Sequence, residues 1–497
     1  MYIKIKIYII IMVFFIFPHQ LFNNLDHLNK NDKIYLIEEP RFFTDFKFHK
    51  LKLAYHRASM KKYYDFLKKK KYNIHYIDFN KVNDFYKTIN DEISIIFVND
   101  HHLQNKLKKI FKNKLNILEN KNFLIKLDEL NDIEKIIKKN NKYSHEEFYK
   151  YQRRKLNILI VDDKPVDGKW SFDNDNRLPL PKNHIVVKTV NKVNKNKYIL
   201  ESIKYVENNF SKNYGSLENF IYPIDHNSSK KWLNKFLKER LVNFGAYEDA
   251  VHENENFIYH AVISPMMNIG LITDQEVVDI SYKYYLNNKK SITIQSFEGF
   301  IRQVIGWRNY VYTLYLLEGE TMYETNQLKH QNKINEKFWT GETGIKPIDN
   351  IINKIVNYSY AHHIERLMYL GNFMLLCFIH PKEVYNIFME WTIDAYDWVM
   401  VPNIFGMSQY STSLMMTRPY FSSSNYINKM STFKRSKTDG WSDIWDSLYY
   451  NFINKHQDLF KKNYAIAQQV KNWNNKTGIE KEIIIKKAAN FINTLLK

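Results

Sequence analysis

Two adjacent imidazoles, His362 and His363, stand in the stretch YAHHIERLMYLGNF over 360–373. Histidine ordinarily titrates near neutrality, so such a pair can deliver a proton at physiological pH, although a purely structural pair on a helix beginning near Tyr360 is the plainer reading. Glu298, Arg302 and Arg308 form a second group, in FEGFIRQVIGWRNYVYTLYLL. Their spacing places polar groups around one side of a helix, suited to a diphosphate or a sugar-alcohol chain, or simply to salt bridges on a solvated face. Ser264 opens a turn before Pro265, where a hydroxyl beside a helix start can meet a phosphate. The single cysteine, Cys377, excludes an internal disulfide framework and any site needing two thiolates, and is expected to pack as a small apolar residue. Walker, GxGxxG, GxSxG and HExxH motifs are absent, which removes the commonest motif-bearing enzyme classes.

The elements that must position these residues are legible in outline. Of 497 residues, 44% are hydrophobic and 16% aromatic, with only 13 Gly and 11 Pro, so the chain has a large core and long helices rather than disorder. Length suggests about two to four domains. Over 12–141, short β-type runs (VFFIF, KIYLIEE, NIHYIDF, ISIIFV, LNILE) alternate with helical stretches, the rhythm of a doubly wound parallel sheet. The apolar run Ile7–Phe17 is too short to span a bilayer, where about 20 residues are needed, and lacks a small-residue cleavage site. It reads as a buried first strand rather than a signal peptide, with translation starting as late as Met12. Residues 142–229 read as a basic connector punctuated by Pro165, Gly168, Pro179 and Pro181, and 230–497 as helical, with Phe300, Val304, Trp307, Val311 and Leu314 forming one apolar stripe. Lys plus Arg exceed Asp plus Glu by 73 to 53, a formal charge of +20. That charge favours a polyanionic partner, nucleic acid first, after allowance for a composition rich in Lys, Asn, Ile and Tyr throughout.

Six collinear motifs in the helical part (FGAYEDA at 244–250, SPMMNIGL at 264–271, SFEGFIRQVIGWRNY at 296–310, YAHHIERLMYLGNF, DAYDWVMVPNIFGMSQY at 394–410 and RPYFSSSNYINKMS at 418–431), with GKWSFDNDNR in the connector, resemble the cryptochrome and photolyase superfamily. The similarity is to its bacterial branch that carries an iron-sulfur cluster and repairs (6-4) photoproducts. The resemblance implies an α/β antenna domain, a connector with a DNA-contacting loop, and an all-α domain holding a U-shaped FAD. It implies FAD contacts at Phe244, Tyr247, Ser264, Glu298, Arg302, Arg308, Asp394, Asn403 and Met407. His363 becomes the acid that protonates the reduced lesion, with His362 supporting it and Tyr420 beside the lesion. Arg153, Arg154, Lys164, Lys169, Asp173 and Arg177 become DNA contacts, and Trp339 an electron relay. Glu38 takes the position that binds a 6,7-dimethyl-8-ribityllumazine antenna. The reading requires an internal cavity bordered by Glu298, Asp394 and His363.

The chain departs from the family pattern in three places. Positions of the cluster-binding cysteines hold Pro347, Lys434, Lys437 and Asp443, so no iron-sulfur cluster and no metal are expected. The relay positions beside Trp339 hold Ile387 and Phe388, and an aliphatic side chain cannot hop an electron; Trp391, Trp398 or nearby tyrosines are the available substitutes. The acidic anchor of the antenna site is replaced by His19, beside Gln20. The expectation is therefore a cytoplasmic, DNA-associated, monomeric (6-4) photolyase with no membrane contact. A cryptochrome-like blue-light receptor that binds FAD without repair, and a basic DNA-binding protein with a decayed flavin site, stay open.

Overall fold

The computed structural model describes residues 12–185, 187, 195–435, 440–461 and 463–497. All five apolar runs form strands: β1 (Val13–Ile16), β2 (Lys33–Ile37), β3 (Ile74–Ile77), β4 (Ile93–Ile96) and β5 (Leu115–Leu118). Every pairing is parallel, in the order β3-β2-β1-β4-β5. The central strand β1 is buried at all four residues, which is why its sequence is apolar without alternation. Strand order reverses at β1, so a crevice opens beyond the carboxyl ends of β1 and β4. Residues 1–11 of the apolar N-terminal run lie outside the described residues.

The expected helix over 49–71 runs from Lys50 to Lys69, with the His49 ring accepting from the Leu51 amide as its N-cap. The 142–229 region holds the helices His145–Lys155 and Lys197–Asn209. From His226 onward the chain is mostly helical. Where Ile294–Ile301 passes into Asn309–Tyr323, the segment Arg302–Arg308 widens into a π-helix. The same occurs at Glu365–Gly371 and Pro402–Ser408. Pro402 cannot donate to the carbonyl four residues back, which favours the wider turn there.

A polar seam joins the sheet domain to the loop Asp394–Asp397. Lys52 Nζ, buried, donates to the carbonyls of Ala395 (2.6 Å) and Met389 (3.2 Å) and lies over the Phe48 ring. His56 Nε2 is 2.7 Å from the Tyr396 hydroxyl, and Arg41 pairs with Asp100 (2.7 Å) and Asp397 (3.4 Å). Burial pushes the Lys52 ammonium down to about 7 against the pull of Asp394.

Candidate functional site

The three π-helical segments converge on one cavity of about 1390 Å³, including its part open to solvent. Gln303, Val304, Trp307 and Arg308 enter from the first, Arg366 and Leu367 from the second, and Asn403, Ile404, Met407 and Ser408 from the third. A π-turn rotates the side chains that follow it relative to an α-helix, which is why such turns collect at binding sites. The walls are mostly apolar, with a few polar atoms, the usual makeup of a cofactor pocket.

Those polar atoms are poised. Arg366 lies 2.9 Å from Asp394 Oδ1, and Ser264 Oγ donates to Oδ2 at 2.5 Å. Asn268 fixes the loop by donating to the Asp394 carbonyl (2.7 Å). Arg308 pairs with Asp274 at 2.6 Å and is braced by the Phe123 and Trp398 rings. Two buried polar atoms on cavity residues have no partner, Arg308 Nη2 and His260 Nε2, and Asp394 Oδ1 has only the Arg366 ion pair. Buried polar groups left unpaired are rare and costly, so a ligand with an anionic end and polar ring atoms completes this site. The residues therefore fit a flavin dinucleotide, with Arg308 suited to its diphosphate and the Asp394–Arg366 pair to a polar ring edge.

Phe244, Ser264, Arg308, Asp394, Asn403, Met407 and His363 line the cavity as expected from the resemblance. Ser264 is engaged by Asp394 rather than free for a phosphate. Asn403 donates to the Val399 carbonyl, leaving its amide oxygen as an acceptor. Other expected residues lie elsewhere. Glu298 and Arg302 do not border the cavity, so of the border expected at Glu298, Asp394 and His363 only the last two are met. Glu298 accepts from Tyr149 Oη (2.8 Å) and the Phe172 amide (3.1 Å), and Arg302 pairs with Asp173 (3.0 Å), Glu248 (3.2 Å) and Glu298 (3.2 Å). On one helix Phe300, Val304, Trp307 and Val311 line the cavity together with Gln303 and Arg308, whereas Glu298 and Arg302 face the connector. Tyr247 stacks on Tyr259 outside the cavity lining, and Tyr420 lines a separate, smaller pocket with Arg418, Phe421 and Tyr449.

The two histidines divide. His362 is fully buried behind the wall, stacked on His260 at 4.1 Å with 14° between the rings, and 3.6 Å from Glu365. Only His363 reaches the cavity, where its ring is exposed. The protein packed around it, and then the Arg366 charge, push it down to about 4, which water in the cavity tempers.

Arg153 is likewise not a phosphate contact. It is buried and donates to the carbonyls of Ile158, Leu159, Lys169 and Trp170, which ties the connector together. Arg154, Lys164, Lys169 and Arg177 are exposed, Arg154 over Trp170 at 4.6 Å and Lys169 3.5 Å from Asp175. Asp173 bridges Arg177 and Arg302. Trp339 meets Trp391 at 5.9 Å, and Trp391 meets Phe388, a cavity residue, at 6.0 Å, so aromatic rings do connect Trp339 to the cavity past Ile387. Of the former cluster positions, Pro347 starts the helix Lys346–Tyr358, Lys434 donates to the Asn428 and Ser431 carbonyls, and Asp443 pairs with Lys487. Lys437 lies outside the described residues, and Cys377 is buried. Among the described residues no group of three or more His, Cys, Asp or Glu is arranged to hold a metal, and no helix is long and apolar enough to cross a membrane. His260, Arg366, Gln303 and Trp398 are cavity residues that the sequence reading did not single out as ligand contacts; only the IER following the histidine pair hinted at Arg366.

Comparisons with known proteins bear on the family and the fold. The family of deoxyribodipyrimidine photo-lyase-related proteins matches residues 14–222. The chain is 32% identical over 364 residues to a (6-4) photolyase of Agrobacterium fabrum, covering 70% of each. It is 42% identical over 130 residues to an uncharacterized protein of Acanthamoeba polyphaga mimivirus, covering 26% of this chain and all of that protein. Among solved structures it is similar to a bacterial class III photolyase from Agrobacterium tumefaciens, at TM-score 0.57 and 14% identity with 98% of each chain covered. A cryptochrome of Synechocystis has the same TM-score at 11% identity, with 97% and 99% covered. At these identities the structural likenesses speak to the fold alone.

Proposed function

The chain belongs to the cryptochrome/photolyase superfamily, in its photolyase-related branch, and from that premise we propose that it is a light-driven DNA-repair enzyme acting on (6-4) photoproducts with FAD in the helical cavity. The observation that carries this reading is the cavity itself, where His363 opens beside the Asp394–Arg366 pair and two buried polar atoms, Arg308 Nη2 and His260 Nε2, await partners. Reduced FAD, when bound, supplies the electron on illumination. Arg308 binds the diphosphate, and Asp394, held by Arg366, Ser264 and Asn268, orients the ring edge. The lesion must leave the duplex to enter, at a cost of a few kcal/mol that is least for a poorly stacked base. Exposed Arg154, Lys164, Lys169 and Arg177 hold the flanking phosphates. His363, protonated from solvent as the approaching DNA phosphates raise its pKa, then passes that proton from a ring nitrogen to the lesion anion and is left neutral.

Ile387 at a relay position and the lack of cysteines at 347, 434, 437 and 443 favour a second reading, a cryptochrome-like blue-light receptor that binds FAD and repairs nothing. One experiment separates the two. The purified chain is examined for flavin absorbance, then illuminated with an oligonucleotide bearing one (6-4) lesion, and the products are separated. Restored pyrimidines support repair, a yellow protein leaving the lesion intact is a receptor, and a colourless protein refutes both.

A further inference from the structure

We propose that the α/β domain of this protein takes no antenna chromophore, because both places where one would bind are filled by the protein's own side chains. An ionised carboxylate offers about four lone-pair sites. Glu38 has all of them met: Arg57 Nη1 (2.8 Å) and Tyr76 Oη (2.6 Å) donate to one oxygen, and the Phe79 amide (3.1 Å) and Tyr205 Oη (3.2 Å) to the other. The carboxylate is fully buried beneath them. The lid is strongly built. Arg57 also pairs with Asp78 (2.9 Å) and Glu201 (2.7 Å), and its guanidinium lies 3.4 Å from the Tyr205 ring centroid. Glu201 and Tyr205 both come from the helix Lys197–Asn209, so a segment of the connector closes the site. A hydroxylated chromophore tail reaches Glu38 only by displacing a charge-assisted, three-carboxylate clasp.

The crevice beyond β1 and β4, where a doubly wound sheet ordinarily binds ligands, is also filled. His19 is buried there between the Phe42 and Phe17 rings (4.8 and 6.3 Å), and unlike His260 it lines neither cavity described above, so its two unpartnered ring nitrogens meet packed protein. Gln20 is used internally: its side chain donates to the Ile96 carbonyl and accepts from the Phe17 amide. Tyr396 enters from the helical lobe, 5.9 Å from Phe42 and bonded to His56. The crevice thus receives the loop that carries Asp394 rather than a pigment.

The test uses the purified full-length protein. Its pigments are extracted and quantified, and the unextracted protein is titrated with 6,7-dimethyl-8-ribityllumazine while the fluorescence of that compound is followed. The expected result is FAD as the sole pigment and no saturable fluorescence change. A second chromophore at one equivalent, whether extracted or bound in the titration, overturns the proposal, and its loss in Glu38→Gln would place it at this site. The proposal concerns a site separate from the flavin cavity. A colourless protein defeats the FAD reading while the lumazine titration still decides this one.

Discussion

At the scale of single residues, the cavity assigns different work to neighbours in sequence. His362 and His363 are adjacent, yet one is buried against His260 and the other meets the cavity. His363→Ala removes the imidazole that the proposed chemistry needs while leaving the Asp394–Arg366 pair and Arg308 in place. Repair yield per photon is expected to fall about 10²-fold or more with flavin absorbance unchanged, the usual scale for a lost general acid. Unchanged repair would assign the proton to another group. The same scale explains the displaced expectations for Glu298 and Arg302. Both need partners when buried, and the connector supplies them through Asp173, Phe172 and Tyr149, so neither is left for a ligand.

At the scale of elements, the π-helical segments shape the site, and Gly371 is where two of them touch. A Cβ added there meets Ser408 Oγ at 2.2 Å and the Arg366 carbonyl oxygen at 2.8 Å. The serine can rotate, but the carbonyl belongs to the segment carrying Arg366 and can move only with its backbone. Gly371→Ala is therefore expected to cost roughly 1–3 kcal/mol, typical of overpacking, and to loosen flavin retention by shifting Arg366 away from Asp394. Thermal melting and the FAD-to-protein ratio measure both effects, and a variant with parental melting and full flavin content would show that the segments have slack. This feature was not legible in the sequence, because the contact depends on two stretches that approach only after folding. By contrast, the aromatic path Trp339–Trp391–Phe388 was anticipated in part, since an aromatic-rich lobe offers substitutes near any lost ring.

At the scale of the whole molecule, burial of histidines sets the response to acid. Burial holds His49, His56 and His145 down to about 3 and His19 to about 4, each far below its value in an unfolded chain. Between those values and about 6.5 the unfolded chain binds protons that the folded one refuses, so stability rises with pH there and is lost as pH falls from 6.5 toward 4. Each such group adds a slope of about 1.4 kcal/mol per pH unit. Eight carboxyls raised by burial, Glu248 to about 8 and Asp249 to about 6 among them, act in the opposite sense above their ordinary values, but twelve histidines are held down among the described residues. Chemical denaturation followed by circular dichroism is expected to show a midpoint that drops steadily below pH 6.5; a flat profile down to pH 4.5 would contradict the burial of these rings. His56 and His19 both border the seam between the sheet domain and Tyr396, so acid loosens the contact that supports the Asp394 loop.

The sequence by itself determined the sheet, because a strand buried on both faces, as β1 is, must be apolar throughout, and five β-type runs alternating with helical periods call for a parallel sheet. It also determined the excess of positive charge and the lack of thiolates, which are matters of count. Only the tertiary structure decided which stripe of the helix through Arg302 faces the cavity. Periodicity shows which residues share a side, but not whether a pocket will meet the charged side or the apolar one. The same limit hid His260, about a hundred residues from His362 in the chain and stacked on it in space, and it hid the closure of Glu38, whose partners are drawn from three separate segments. Contacts of that kind carry no spacing signal, because the folded path of the backbone, and not local propensity, brings their members together.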